Sequence, residues 1–525
     1  GKKYSFDKIN SIEEFKKQVP IVTYPDLEPY VNRIYYNNEQ NVLCSDRVIG
    51  FATSSGSIGK PKIIPRTDVE IGIYTKYTVT RFLALAKQYG KARGIGHIPA
   101  RGICTLCQHK ELSPFGLPAT NVADIAAKKY YSIYPYILIL PLKRQFSADE
   151  IDILYGNVRF GLEDKNCLYI FSVFAKNIEE IFSYMKEHHE MLVKDIREGT
   201  IDESVRMKPE IREALQRTIK PNPKRAAELE AEFAKGFDET IAKRLWPNLM
   251  VISAIGTSKS FEGFVETVKK YTKDVPFDYS IYGASEGLMA AAYKSDEVGQ
   301  LMLPDSCYFE FVEDTGDEAK EITETLFIDQ LEVGKKYEVI LTNQSGFYRY
   351  RINDIIKVLG YEGKCPVINF VYRRGQLLNI NGEKTNMEQM SEAMARLEKD
   401  AGVHITEWAV FVNKGKDQFR YAVLIENEEG KDLSGLTDIF EQHLRDVNTS
   451  YYYYETVKGL IDPPVIYNQR PGSHKEWIEY KVSTGATREQ IKPVRILDND
   501  EKIGFFTKRI EWPSPTKECR IVNEL

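Results

Sequence analysis

Thr53-Ser54-Ser55-Gly56-Ser57-Ile58-Gly59-Lys60-Pro61-Lys62, running into Ile63-Ile64-Pro65, is the stretch on which the reading of this chain turns. Two glycines, a proline, a run of hydroxyl side chains and two lysines make a poor strand or helix and a good anion cradle. Backbone N–H groups, hydroxyls and ammonium groups can all face one phosphate there. The stretch is not a Walker A loop, because G-x-x-x-x-G-K-[ST] does not occur, and a Rossmann G-x-G-x-x-G is absent as well. The plain alternative is a hydrophilic surface loop.

The surrounding composition is that of an ordinary globular protein. With 525 residues, 42% hydrophobic and 28% charged, the chain can bury a large core and fill two or more domains. A net charge of -5, with lysine and arginine spread along the chain, leaves no basic stripe for a nucleic acid. The longest apolar run, residues 133–142, is broken by Pro135 and falls short of the roughly 20 residues a bilayer needs. Gly1-Lys2-Lys3 opens no apolar signal region, so the expectation is a cytoplasmic protein, a monomer without a membrane or nucleic-acid partner. Seven cysteines in this length make no disulfide framework. Cys104 and Cys107, with His109 close behind, could supply metal ligands, but no second pair follows, and Ile103 and Leu106 suit a buried strand better.

Ser11 with Glu14 and Thr67 with Glu70 predict helix N-termini on either side of the cradle, the second helix ending by Gly90. Apolar β-type runs at 102–107, 137–142 and 168–174, with a capped helix from Ser147, predict an α/β arrangement. Residues 177–245 read as a charged helical elaboration, after which strands at 249–255 and 278–282 return. Further strands at 308–312, 337–342 and 355–359 predict a β-rich subdomain. Beyond Arg373-Arg374-Gly375 the rhythm becomes a small α+β unit. The expected fold is therefore α/β, with a large N-terminal domain over 1–374 and a smaller, mobile C-terminal domain over 375–525.

Two further stretches complete a constellation. Tyr282-Gly283-Ala284-Ser285-Glu286-Gly287 puts a carboxylate and an aromatic ring on a tight turn, read here as strand to helix, where N–H groups are free. Tyr348-Arg349-Tyr350-Arg351-Ile352-Asn353-Asp354 ends in an aspartate before an apolar strand, a position suited to a ribose diol. In this order the three stretches fit an ATP site: phosphates at Ser54 to Lys62, Mg²⁺ at Glu286, ribose at Asp354.

On these motifs the chain resembles the adenylate-forming superfamily, and within it the auxin-responsive Gretchen Hagen family of acyl acid amido synthetases. The likeness extends through residues 15–34, 246–258, 373–386 and 470–496, so it covers almost the whole chain. It implies a carboxylic acid activated by ATP as acyl-AMP, and then transfer of the acyl group to an amino acid amine. It also implies nucleotide contacts from Ser54, Ser55, Gly56, Ser57, Lys62, Gly256, Thr257, Tyr282, Gly283, Ala284, Ser285, Asp354 and Arg373, with Glu286 at the metal and Lys384 and Lys492 as C-terminal catalytic lysines. An ammonium in a closed site stabilises charge that builds at phosphorus.

Ile58 stands where the superfamily usually has a hydroxyl, and Asn353 where it has glycine; Asn tolerates positive φ better than most residues. Other readings of the same residues exist. Gly283-Ala284-Ser285-Glu286-Gly287 also satisfies G-x-S-x-G, which would make Ser285 a hydrolase nucleophile with His404, His443 or His474. An acyl-CoA ligase shares the adenylation step, and a nucleotide-binding protein that has lost catalysis would tolerate Ile58 and Asn353.

Overall fold

The computed structural model describes residues 2–53, 62–90, 101–105, 111–127, 137–140, 146–147, 150–237, 240–258, 261–315, 322, 324–374, 378–380, 383, 385–414, 419–486, 488 and 491–512. Ser54 to Pro61, with Ile58 among them, and Cys107, His109 and Lys384 lie outside these residues. The fold is mixed α/β and forms two compact units, Gly1–Thr257 with Phe264–Phe370 and Ser258–Gly263 with Val371–Leu525.

Three sheets build the first unit. Strands β1 (Val48–Thr53) and β2 (Ile63–Thr67) run antiparallel on either side of the cradle, and β4 (Ala119–Thr120) pairs parallel to β1. A parallel sheet follows the order β3 (Gly102–Cys104), β5 (Tyr169–Phe174), β6 (Val251–Ile255), β7 (Phe277–Asp278). Its strands are short apolar runs because helices cover both faces. The 24-residue helix Ala175–Glu198 buries Ile178, Ile181, Phe182, Met185, Leu192, Val193 and Ile196, a stripe at helical spacing, and stops at Gly199 with φ 67°.

The third sheet has seven strands in the order β11 (Tyr308–Glu313), β12 (Lys336–Thr342), β13 (Tyr350–Glu362), β14 (Cys365–Arg373), β10 (Gln300–Met302), β9 (Gly287–Ala292), β8 (Ile281–Ala284). Three strands separate β8 from β13 in this order, yet Tyr282 on β8 hydrogen-bonds Asp354 on β13, so the sheet curls back upon itself. Around its inner face lies a second core with Phe309, Phe311, Tyr337, Val339, Leu341, Ile352 and Ile356.

Several expectations need correction here. The helix expected from Ser147 begins instead at Ile153, where Asp152 accepts the N–H of Tyr155. Ser147 spends its N–H and hydroxyl on Glu150, and Ile151 then bridges Met207, which prevents an earlier start. The strand expected over 278–282 is two strands in two sheets: the chain leaves the parallel sheet after Asp278, passes Ser280 at φ 54°, and enters the curled sheet at Ile281. The turn after Ala284 leads to a strand, not a helix, because Ala284 pairs with Gly287 and Gly283 with Leu288 in an antiparallel hairpin. The expected helix from Thr67 does form, α-helical over Asp68–Leu85 and closing in a π-turn at Ala86–Gly90.

In the second unit a sheet of order β15 (Ile405–Lys414), β16 (Phe419–Asn427), β17 (Val465–Gln469), β18 (Ile510–Trp512) is covered on both faces. Trp408, Val410, Val423 and Ile425 share a core with helices Met387–Ala401 and Thr437–Val447. Alternate residues Ala409, Phe411, Ala422 and Leu424 share another with Trp477 and Phe506, as strand periodicity requires. No helix among the described residues is long and apolar enough to cross a membrane.

Candidate active site

Asp354 owes its position to a bulge. Ile340 pairs with Arg351 and Glu338 with Ile355, so three residues of β13, Ile352 to Asp354, oppose Val339 alone. The extra residues fit because Asn353 takes φ 67°, the conformation that glycine or asparagine adopts at least cost. Asparagine thus does there what the missing glycine would. The bulge turns the Asp354 carboxylate, 1% exposed, toward Tyr282, whose hydroxyl donates to Oδ2 at 2.8 Å.

Glu286, 3% exposed, sits on the two-residue turn between β8 and β9. The Tyr350 hydroxyl donates to its Oε1 at 3.3 Å, and Lys62 Nζ donates to that hydroxyl at 3.0 Å while lying 3.8 Å from the same carboxylate oxygen. Lys62 is flanked by the rings of Tyr24 and Tyr350, at 5.6 and 5.7 Å from their centroids. Tyr24 in turn is fixed to the start of β2: its hydroxyl donates to the Ile63 carbonyl at 3.0 Å and accepts the Ile63 N–H at 2.9 Å. Burial pushes the Tyr24 phenol above its ordinary value, so it remains a neutral wall. The last residue of the cradle, the second motif and the third motif are therefore joined through Lys62, Glu286 and Tyr350.

Not every expected residue gathers at this point. Ser54, Ser55, Gly56, Ser57 and Lys384 lie outside the described residues. Gly283 is exposed on the hairpin, with Ala284 and Ser285 half-buried beside it. Gly256 is buried at the end of β6, where a Cβ would meet Val265 Cγ2 at 2.7 Å; glycine is required for packing, and Thr257 follows it. No hydrogen bond or ion pair among the described residues ties Gly256 or Thr257 to Glu286 or Asp354. Arg373 ends β14 and Lys492 is exposed in an irregular segment, both within the second unit. There Glu383 and Thr385, the neighbours of Lys384, are buried with the Tyr421 hydroxyl 2.6 Å from Glu383 Oε1 and 2.9 Å from Thr385 Oγ1.

The hairpin also disposes of the hydrolase reading. A nucleophile elbow needs a strand-to-helix turn, whereas Ser285 sits between two strands with its hydroxyl 3.4 Å from the Thr53 carbonyl. His404 and His443 are engaged by Glu398 and Asp400 inside the second unit, and His474 is buried there between Glu407 and Glu426.

Other residues emerged only with the fold. Arg66 donates to the Ser285 carbonyl, Asn343 to the Glu286 carbonyl, and Ser345 to the Glu70 carboxylate. At the carboxyl end of the parallel sheet, Asp278 is fully buried between Arg81 and Ser253. Tyr350 and Glu70 lie within or beside the stretches already quoted, but nothing in their spacing discloses a partner hundreds of residues away.

Comparison with known proteins agrees with this architecture along the chain. The GH3 family N-terminal domain matches residues 1–277, the GH3 family central domain residues 300–373, and the GH3 family C-terminal domain residues 388–501. The chain belongs to the GH3 family. Among GH3 relatives, the indole-3-acetic acid-amido synthetase GH3.8 of Oryza sativa subsp. indica is 28% identical, over 94% of this chain and 85% of its own. The 4-substituted benzoates-glutamate ligase GH3.12 of Arabidopsis thaliana is 26% identical, over 95% of this chain and 89% of its own. Of solved structures, the GH3.15 acyl acid amido synthetase superposes with a TM-score of 0.84 at 21% identity, covering 97% of this chain and 89% of that one. A 2-hydroxyisobutyryl-CoA ligase in its postadenylation state reaches 0.50 at 11% identity, over 95% and 85%. At such identities the likeness is one of fold, here the GH3 and adenylate-forming fold.

Proposed function

We propose that this GH3 family chain, working as a cytoplasmic monomer, activates a small carboxylic acid with ATP as acyl-AMP, releases pyrophosphate, and passes the acyl group to the amine of an amino acid. The observation that carries the reading is the pair of buried carboxylates, Glu286 and Asp354, each held by a tyrosine hydroxyl and each on a motif whose order follows the family. Asp354 is placed to accept hydrogen bonds from a ribose diol. Lys62 brings an ammonium beside Glu286, at the end of the stretch assigned to the phosphates.

Mg²⁺ fits the same donors. A hard divalent cation takes carboxylate oxygens, and Glu286 offers one: its Oε1 meets Tyr350 and Lys62, and its Oε2 meets no hydrogen-bond donor among the described residues. Bound there, the ion would neutralise part of the triphosphate charge. A carboxylate oxygen of the acid then attacks the α-phosphorus, the bond to pyrophosphate breaks, and in the second step the amine attacks the acyl carbonyl and AMP leaves. Gly256, Thr257, Tyr282, Gly283, Ala284, Ser285 and Arg373 are assigned to the adenylate, and Lys384 and Lys492 to charge stabilisation, on the family resemblance.

The test is pyrophosphate release over a panel of aryl and alkyl acids, with mass spectrometry of products formed in mixed amino acids or CoA. Acid-dependent release with an amide product supports the reading. A thioester without any amide would overturn it in favour of a CoA ligase.

A further inference from the structure

The turn that carries Glu286 is gripped from two sides. In a two-residue hairpin the turn carbonyls have no ladder partner, and a buried carbonyl needs a donor. Arg66 Nη1, from β2, donates to the Ser285 carbonyl at 3.1 Å, and Asn343 Nδ2, from the turn after β12, donates to the Glu286 carbonyl at 2.8 Å. Asn343 is itself fixed, because its Oδ1 accepts the N–H of Phe347 at 3.0 Å and its own N–H donates to the Phe347 carbonyl at 3.0 Å. The two grips are linked behind the turn: Arg66 pairs with Glu70 at 3.4 Å, and Glu70 accepts from Ser345, two residues beyond Asn343.

This ring of contacts is an expensive way to stabilise a fold. Arg66 is 2% exposed and its Nε meets no hydrogen-bond partner among the described residues, while burying a charged pair seldom gains stability over apolar side chains of similar size. Gly346 adds a second constraint: it holds φ 91°, and a Cβ there would meet the Leu43 carbonyl oxygen at 2.5 Å, so the turn bearing Asn343 and Ser345 has little room to relax. Orientation of the hairpin turn is what such an arrangement supplies. We propose that Asn343 and Arg66 are positioning residues for Glu286: by holding both carbonyls of its turn they fix the direction from which its carboxylate meets the metal-bound triphosphate of ATP. The inference rests on the reading of Glu286 as the carboxylate that serves ATP.

Calorimetric titration of the full chain with ATP at fixed Mg²⁺, with Mg²⁺ at fixed ATP, and with AMP reads this without turnover. Asn343→Asp keeps the acceptor for Phe347 and replaces the donor facing Glu286 by a second acceptor. ATP affinity is expected to fall about ten-fold and the Mg²⁺ concentration at half-saturation to rise, with AMP, which lacks the β- and γ-phosphates, bound as by the wild type. Arg66→Met combined with Glu70→Gln removes both charges together, so no buried charge is stranded, and is expected to show the same split. Equal loss of ATP and AMP affinity in Asn343→Asp would make the role merely structural and overturn the inference. Glu286→Gln separates the two levels: if it alone weakens ATP while Asn343→Asp binds ATP normally, the positioning fails; if Glu286→Gln changes nothing, the reading of Glu286 fails.

Discussion

Asp354 and Tyr282 are held together by one 2.8 Å hydrogen bond between two groups that burial has stripped of water. A carboxylate so enclosed is a strong acceptor for a sugar hydroxyl, and removing a charged acceptor typically costs about 1.5 to 3 kcal/mol. Asp354→Ala is therefore expected to weaken ATP binding by that amount without unfolding the chain. Calorimetry on a folded variant checks it, and unchanged ATP affinity would remove Asp354 from the site. Part of this was legible from the residues themselves: an aspartate beside an apolar run, preceded by an asparagine able to take positive φ, although the strand begins at Tyr350 and Asp354 sits in a bulge within it rather than before it. Tyr282 as its donor was not legible, because the contact exists only once the sheet has curled, 72 residues closing to one hydrogen bond.

The helix Asp68–Leu85 shows the same limit at the scale of an element. Thr67 caps it as its sequence suggests, accepting the Glu70 N–H at 3.4 Å. The Glu70 carboxylate, however, turns away from the cap to Arg66 and Ser345. Burial, the largest influence, raises its proton affinity above the ordinary carboxyl value of 4.5, while Arg66 and the hydrogen bonds from Thr67 and Ser345 pull it down. Its neighbours Cys307, whose thiol is pushed up to about 12, and Cys44, whose thiol is also raised, remain neutral across the acidic range. With the folded value raised, the native state holds more protons than the unfolded chain above pH 4.5, so this group's contribution to stability falls as pH rises toward the folded value. The stability of the wild type relative to Glu70→Gln should accordingly decline over that window in urea unfolding at stepped pH; a relative gain with pH would refute the sign. The sequence after Ala284 points to a helix where the structure has a hairpin, because Gly-x-x-x-Gly spacing is compatible with either continuation. The alternation in Leu288, Met289 and Ala290 is too weak to decide it.

For the whole molecule, the order of motifs carried the assignment: the cradle lies within the N-terminal GH3 match, the third motif within the central one and Lys492 within the C-terminal one, while the second motif and Lys384 fall in the gaps between them. What order could not reveal is the acyl acid, since its pocket depends on side-chain shape rather than on a short pattern. The Asp278, Arg81 and Ser253 cluster at the edge of the parallel sheet became visible only in the fold. We propose that Lys492, far along the chain from the other phosphate contacts, serves the acid-activation step alone. Lys492→Ala should slow acyl-AMP formation by roughly 10² to 10³, the usual effect of losing one transition-state donor, and leave amide formation from supplied acyl-AMP much less affected. Separate assays of the two half-reactions on one preparation check this, and equal losses would make the lysine structural. The central claim, activation by attack on the α-phosphate, is tested most directly with an acid that supports turnover, labelled with ¹⁸O in its carboxylate. The account predicts that one ¹⁸O passes to AMP, seen by mass spectrometry, with pyrophosphate unlabelled. Label appearing in inorganic phosphate, or absent from AMP while amide still forms, would contradict it.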